Sequence, residues 1–177
     1  MAADLEPLLH VVVPFVALVL YGVEPRRAAP LSLLGVVPDL DALLLVHRSL
    51  SHSVVVLGLV WVPVLAYVRM RRPGLWVEAV LGLLVLVSHP VLDMVGGYTP
   101  VLWPLYGDSI YLRMALDGRV SPGVSFNPRV EVLGVPTVFK PVASLDYPLF
   151  TGEGLAVSLI LLLPIVLSMV KPRLEAR

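Results

Sequence analysis

The chain has 177 residues, a length that fits one domain spanning 1–177. Hydrophobic residues make up 58% and charged residues 15%, with a mean hydropathy of +0.89, whereas soluble domains carry roughly a quarter charged residues. Lipid is therefore expected as part of the solvent; zero net charge excludes a basic nucleic-acid surface, and the lack of cysteine excludes disulfides and thiolate metal sites.

A bilayer core of roughly 30 Å needs about 20 apolar residues in a helix. The first such stretch, 7–23, follows Asp4 and Glu6 and precedes Arg26 and Arg27. That charge order reads as a retained helix rather than a cleaved signal. The next, 28–46, is interrupted by Pro38-Asp39-Leu40-Asp41. An Asp at a helix centre costs about 2.5–3.5 kcal/mol on insertion scales, so these two belong near an end of the span or facing a polar interior. The break also fits a re-entrant segment with Asp39 capping the helix that follows. Stretches 51–68, 74–95 and 154–170 complete the set. The expected fold is an all-α integral membrane bundle of about five transmembrane or re-entrant helices.

Residues 97–152 form the expected extramembrane insertion, with seven prolines. Within it, 129–133 and 136–140 flank Gly134 and read as a short β-hairpin, while 108–117 reads as a short interfacial helix. Tyr98, Trp103, Tyr106 and Tyr111 suit headgroup depth. With five spans, eight of the thirteen basic residues fall on one side, after the first, third and last spans. Positive-inside then puts the N-terminus outside and the C-terminus in the cytoplasm of a multi-pass membrane protein.

That orientation gathers every histidine toward the outer face. His10 lies in the outer turns of the first span, and Asp39 and Asp41 in the outward half of the second. His47 and His52 lie at the turn into the third, and His89 and Asp93 in the last turns of the fourth. His89 and Asp93 are four apart and project from one helical face. Helices contributing inward ligands are how bundles build metal sites. Imidazole and carboxylate suit zinc, manganese or iron. Asp39 and Asp41 point to nearly opposite sides, so one is expected to ligate and the other to orient a histidine or cap the helix. His47 reads as a wet-loop residue.

These residues resemble the membrane-bound metal-dependent hydrolases typified by the bacterial YdjM protein. The likeness lies in His10, Pro38-Asp39-Leu40-Asp41, His47-Arg48 with Ser51-His52-Ser53, and His89-x-x-x-Asp93 followed by glycines and Trp103-Pro104. It covers about residues 5–105, with Ser51 where the family has Thr. More distantly, the order of histidines and aspartates resembles zinc-dependent phospholipase C and the P1-type nucleases. That likeness implies one or two ions on His10, Asp39 or Asp41, His52, His89 and Asp93, with Asp93 as the bridge in a two-ion site. A prokaryotic cell membrane is the location implied.

The reaction expected is attack of metal-activated water on an ester or phosphodiester, possibly lipid-linked, at the outer membrane interface. Asp39 or Asp41 would take the water's proton. Arg48, Trp103 and Arg113 are the expected substrate-facing residues, with an interfacial anchor as the alternative for Arg48. Two further readings stay open: a cation or proton transporter, and a non-catalytic membrane protein with a structural metal.

Overall fold

The computed structural model describes residues 6–46, 48–120, 123–141 and 150–175. Helix α1 (Pro7–Leu20) starts on Pro7, whose missing N–H costs nothing at a first turn. It gives way to Gly22, at φ 101°, and then Pro25 opens α2 (Pro25–Ser32). A 3-10 helix, Leu33–Leu44, contains Pro38 and ends at Leu45, whose φ is 54°. A 3-10 turn at Leu50–His52 leads into α3 (Val54–Arg71), and Pro73–Leu75 into α4 (Trp76–Gly96). Strands β1 (Asp108–Val120) and β2 (Val124–Pro136) form one antiparallel hairpin, and α5 (Gly152–Glu175) closes the chain.

The all-α bundle of five spans is not what forms. Among the described residues two helical stretches, Val54–Arg71 and Pro73–Gly96, are long and apolar enough to cross a membrane. Helix α1 has 14 residues, about 21 Å at 1.5 Å per residue, which falls short of a bilayer core. The apolar part of α5, Gly152–Ser168, is also shorter. The stretch 28–46 is α2 plus the 3-10 helix, not one span. Pro38 removes the N–H that would bond to Leu34. Residues 108–117 are strand rather than interfacial helix, and the hairpin pairs 108–120 with 124–136, so Gly134 lies inside a strand opposite Ile110.

Two apolar seams hold α1. Val12 and Val16 pack on Ile165 of α5, and Leu18 packs with Ala28 and Val85 of α4. Glu6, buried just before α1, accepts hydrogen bonds from the Thr151 backbone N–H at 2.6 Å and from the Thr151 hydroxyl. It thereby satisfies donors where α5 begins. Trp61 of α3 donates its indole N–H to Ala79 O of α4 at 2.9 Å, and Gly82 leaves room for its ring.

Helix α3 is apolar all round, yet only 6% of its membrane-length window is buried by the protein. Leu59, Val60 and Val62 all face outward. An apolar helix that the protein leaves uncovered needs a non-aqueous neighbour.

Pro14 leaves the His10 carbonyl without its helical donor, and Gly35 approaches that oxygen so closely that a Cβ would overlap it. The 3-10 helix therefore sits against α1 only because residue 35 has no side chain. Gly35→Ala is expected to destabilise the protein by about 1–3 kcal/mol, as overpacking does. Gly58→Ala, with open space at its Cβ, is expected to be neutral or to gain up to about 1 kcal/mol from helix propensity. Thermal unfolding of both variants in detergent checks the pair.

Candidate metal centre

The end of the molecule away from the α3–α4 turn gathers His10 from α1, Asp39 and Asp41 from the 3-10 helix, His52 before α3, and His89 and Asp93 from α4. His10, His52, His89 and Asp93 are essentially inaccessible, while the Asp39 side chain is 18% exposed and marks the mouth.

Each of two carboxylates brings one oxygen close to both imidazoles. His89 Nε2 lies 3.1 Å from His52 Nε2, 3.4 Å from Asp39 Oδ1 and 3.6 Å from Asp93 Oδ2. His52 Nε2 lies 3.7 Å from Asp39 Oδ1 and 3.3 Å from Asp93 Oδ2. Tetrahedral ligands at zinc bond lengths of about 2.0–2.1 Å stand about 3.3–3.4 Å apart. The trio Asp39, His52 and His89 thus stands close to the spacing a divalent ion needs, with Asp93 Oδ2 beside both imidazoles. Asp93 Oδ2 and both His10 ring nitrogens are buried without a hydrogen bond, and atoms left so cost about 1–3 kcal/mol each unless a charge or a ligand satisfies them.

Outer partners fix which nitrogen of each imidazole faces inward. His89 Nδ1 lies 2.6 Å from Gly35 O, and a carbonyl only accepts, so Nδ1 carries the hydrogen and Nε2 turns to the cluster. Asp41 Oδ2 accepts from the Ser49 N–H at 2.9 Å and the Ser51 hydroxyl at 2.8 Å, and lies 3.3 Å from His52 Nδ1. With its proton spent on Asp41, the Ser51 hydroxyl accepts from His52 Nδ1 at 3.1 Å. His52 and His89 therefore each have the outer-sphere partner that metal-binding imidazoles normally carry. Asp41 is an orienting group here and Asp39 faces the donor atoms. A hydroxyl at 51 does this work, so Ser serves there as Thr would.

His10 lies beside these four. Its Nε2 is 3.2 Å from Asp93 Oδ1, and its ring is 3.9 Å from that of His89. A second group, His10, His89 and Asp93, also meets the spacing for an ion, but both groups draw on His89. With Nδ1 given to Gly35, His89 has one lone pair, so only one of the two groups is served by it at a time.

Arg48 adopts φ 54° and reaches back toward Asp93, with Nε 3.5 Å from Oδ2. It also donates to Tyr98 O at 3.4 Å. A Cβ on Gly97 would overlap the guanidinium, so Gly97 is what admits Arg48. Trp103 lies near the rim: its carbonyl accepts from the Ser53 hydroxyl, and its ring meets Phe139 edge-on at 5.6 Å. Arg113 is not at the site. It lies on the hairpin, 3.7 Å from Glu131, with its side chain 62% exposed. His47 lies outside the described residues. Gly35 and Ser49 shape the centre without having been singled out by their sequence context, and Gly97 had been noted only as one of the glycines after Asp93. Glycine in a run of branched apolar residues was the only signal for Gly35.

No protein-family model, curated protein or solved structure matches the chain.

Without metal the cluster is an ion-pair network. Burial alone would lower the pKa of His52, but the carboxylates of Asp39, Asp41 and Asp93 outweigh it and push the group up to about 10. Burial would raise Asp39, but His52 and His89 hold it well below the usual carboxylate range. The His52 contribution to stability is therefore complete below its unfolded pKa of about 6.5 and is lost as pH rises through about 10. The Asp39 contribution is present above about pH 4 and is lost as the solution becomes more acidic. Chelator-treated protein is expected to melt highest between about pH 4 and 6.5 and progressively lower toward pH 10. The gain from added zinc is expected to grow over that alkaline range, because binding displaces the proton. Melting curves across pH, with His52→Gln flattening the alkaline slope, check this.

Proposed function

We propose that this protein is a membrane-embedded, metal-dependent hydrolase of the YdjM-like kind, using one zinc ion to cleave an ester or phosphodiester of a lipid or lipid-linked substrate. The observation that carries the reading is the spacing of the His52, His89, Asp39 and Asp93 atoms, 3.1–3.7 Å over the measured pairs. It suits tetrahedral zinc, with manganese or iron as the next candidates.

Membrane embedding is supported by α3, apolar and uncovered, and by the internal prolines of α1, α3 and α4, which transmembrane helices tolerate. Arg27 pairs with Glu78 at 3.5 Å, and Arg69 stacks over Trp76 at 5.9 Å. Arg27 and Arg69 thus lie at the end opposite the His/Asp cluster, which by the positive-inside rule favours a site on the non-cytoplasmic side. Exposed Leu40, Leu43 and Leu44 follow Asp39 at the mouth and suit a substrate presented from lipid.

When bound, the ion supplies a water acidic enough to ionise near neutrality and a positive charge opposite the reacting oxygen. Asp39, the most exposed of the four, would stand off the ion and leave that position to water, and its carboxylate would take the water's proton. Asp41 and Gly35 O keep the two imidazoles turned inward, and Arg48 faces the negative charge that develops on the phosphoryl or acyl oxygen.

One observation favours a second reading. Four protein ligands close a tetrahedron, as structural zinc sites do, which would make the ion a tie between helices. Transport has less support, because the polar groups gather at one end and Glu78 is paired at the other.

Protein reconstituted in lipid should hydrolyse lipid esters or phosphodiesters, lose activity to chelator and regain it with zinc. Arg48→Ala should keep its metal yet lose about a hundredfold or more in kcat. Stoichiometric metal with no hydrolysis across such a panel would favour the structural reading.

A further inference from the structure

The β1–β2 hairpin is amphipathic over its whole length. At about 3.4 Å per residue each 13-residue strand is roughly 44 Å long. Its register sets Met114 opposite Val130 and Gly118 opposite Phe126, and the pleat puts these on one face with Leu116 and Val132. Met114, Leu116, Phe126, Val130 and Val132 are 57–70% exposed, and beyond Asp108 at its root that face carries no charged residue. The opposite face carries five charges, of which four pair internally: Arg113 with Glu131 at 3.7 Å, and Arg129 with Asp117 at 2.7 Å; Arg119 is the fifth. A two-stranded hairpin with an uncovered apolar face is marginal in water and needs a surface to lie on.

We propose that this apolar face lies on the lipid surface beside the candidate metal centre, with the charged face toward water. The proposal rests on reading α3 and α4 as membrane spans. Three observations favour lipid over a protein partner. First, the hairpin grows from the end of α4: Thr99 and Ile110 exchange backbone hydrogen bonds at 2.9 and 2.8 Å just after that helix, which fixes its root at the membrane boundary. Second, Tyr98 and Tyr111 meet edge-to-face at 5.5 Å at this root, with Tyr111 on the face that also carries Arg113, and such rings on the charged side hold the root at headgroup depth. Third, the face is a uniform apolar strip, whereas protein interfaces carry a polar rim and directed hydrogen bonds. The two open strand edges keep unpaired N–H and C=O groups, which bars the hairpin from the hydrocarbon core. It therefore lies flat at the headgroup–acyl boundary, as amphipathic helices do.

The chain has no cysteine, so single cysteines can carry a polarity-sensitive fluorophore in the full protein. Val130→Cys probes the apolar face, Ala115→Cys the charged face at the same depth, and Leu59→Cys the outside of α3. Each is reconstituted into phosphatidylcholine nanodiscs whose lipids are brominated on the acyl chain. Severalfold stronger quenching at Val130 than at Ala115, together with quenching at Leu59, is the expected result. Quenching at Leu59 but not at Val130 would overturn the hairpin proposal and leave the span reading standing. Val130 unquenched and cross-linking to Val130 of a second copy would assign the face to self-association instead. No quenching at Leu59 would remove the membrane reading and the proposal with it.

Discussion

Gathering two imidazoles in contact with each other, and two carboxylates each within 3.7 Å of both, inside an apolar chain is the constraint on which the rest of this structure depends. Each group would resist burial alone, and together they are tolerable only if their charges are matched and their directions fixed. The fold supplies both. The 3-10 helix, α4 and the turn before α3 bring the four members, and a ring of outer contacts holds them: Gly35 O on His89, Asp41 and Ser51 on His52, His10 on Asp93. In the metal-free state His52, as an imidazolium, directs its Nε2 proton at the lone pair of His89. A divalent ion would take the place of that shared proton, so one geometry would serve both states.

The same constraint explains the local irregularities. A regular α-helix through 28–46 would send Asp39 and Asp41 to different sides without a partner for either. The 3-10 path aims Asp39 at the donor atoms and Asp41 at His52. Pro14 frees the His10 carbonyl and Gly35 approaches it, which sets the 3-10 helix at the distance His89 requires. Arg48 and Leu45 adopt left-handed backbone on either side of the turn that returns the chain to His52. Strain of this kind is tolerated where the surrounding contacts over-determine it.

Much of the centre was legible because helical periodicity is a strong signal. His89 and Asp93 share a face by their spacing, and the structure brings both side chains to the cluster. The division of labour between Asp39 and Asp41 followed from their separation by two, though which did which needed the three-dimensional turn. Other features had no local signature. The segment 108–117 contains Leu, Arg, Met and Ala, all good helix formers, yet pairing with 124–136 overrides that preference. Arg113 was placed at the site on its charge alone, and only the strand register sends it to Glu131. The span count failed for a simple reason: apolar composition marks contact with lipid or core, but 14 residues of it in α1 do not reach across a bilayer.

The central claim is that this cluster is a metal site, and zinc-edge X-ray absorption on the purified, zinc-equilibrated protein tests it most directly. The account predicts one ion per chain with two imidazole nitrogens and carboxylate oxygens at about 2.0–2.2 Å. Protein that retains no ion after equilibration, or an ion whose shell lacks imidazole, would contradict it.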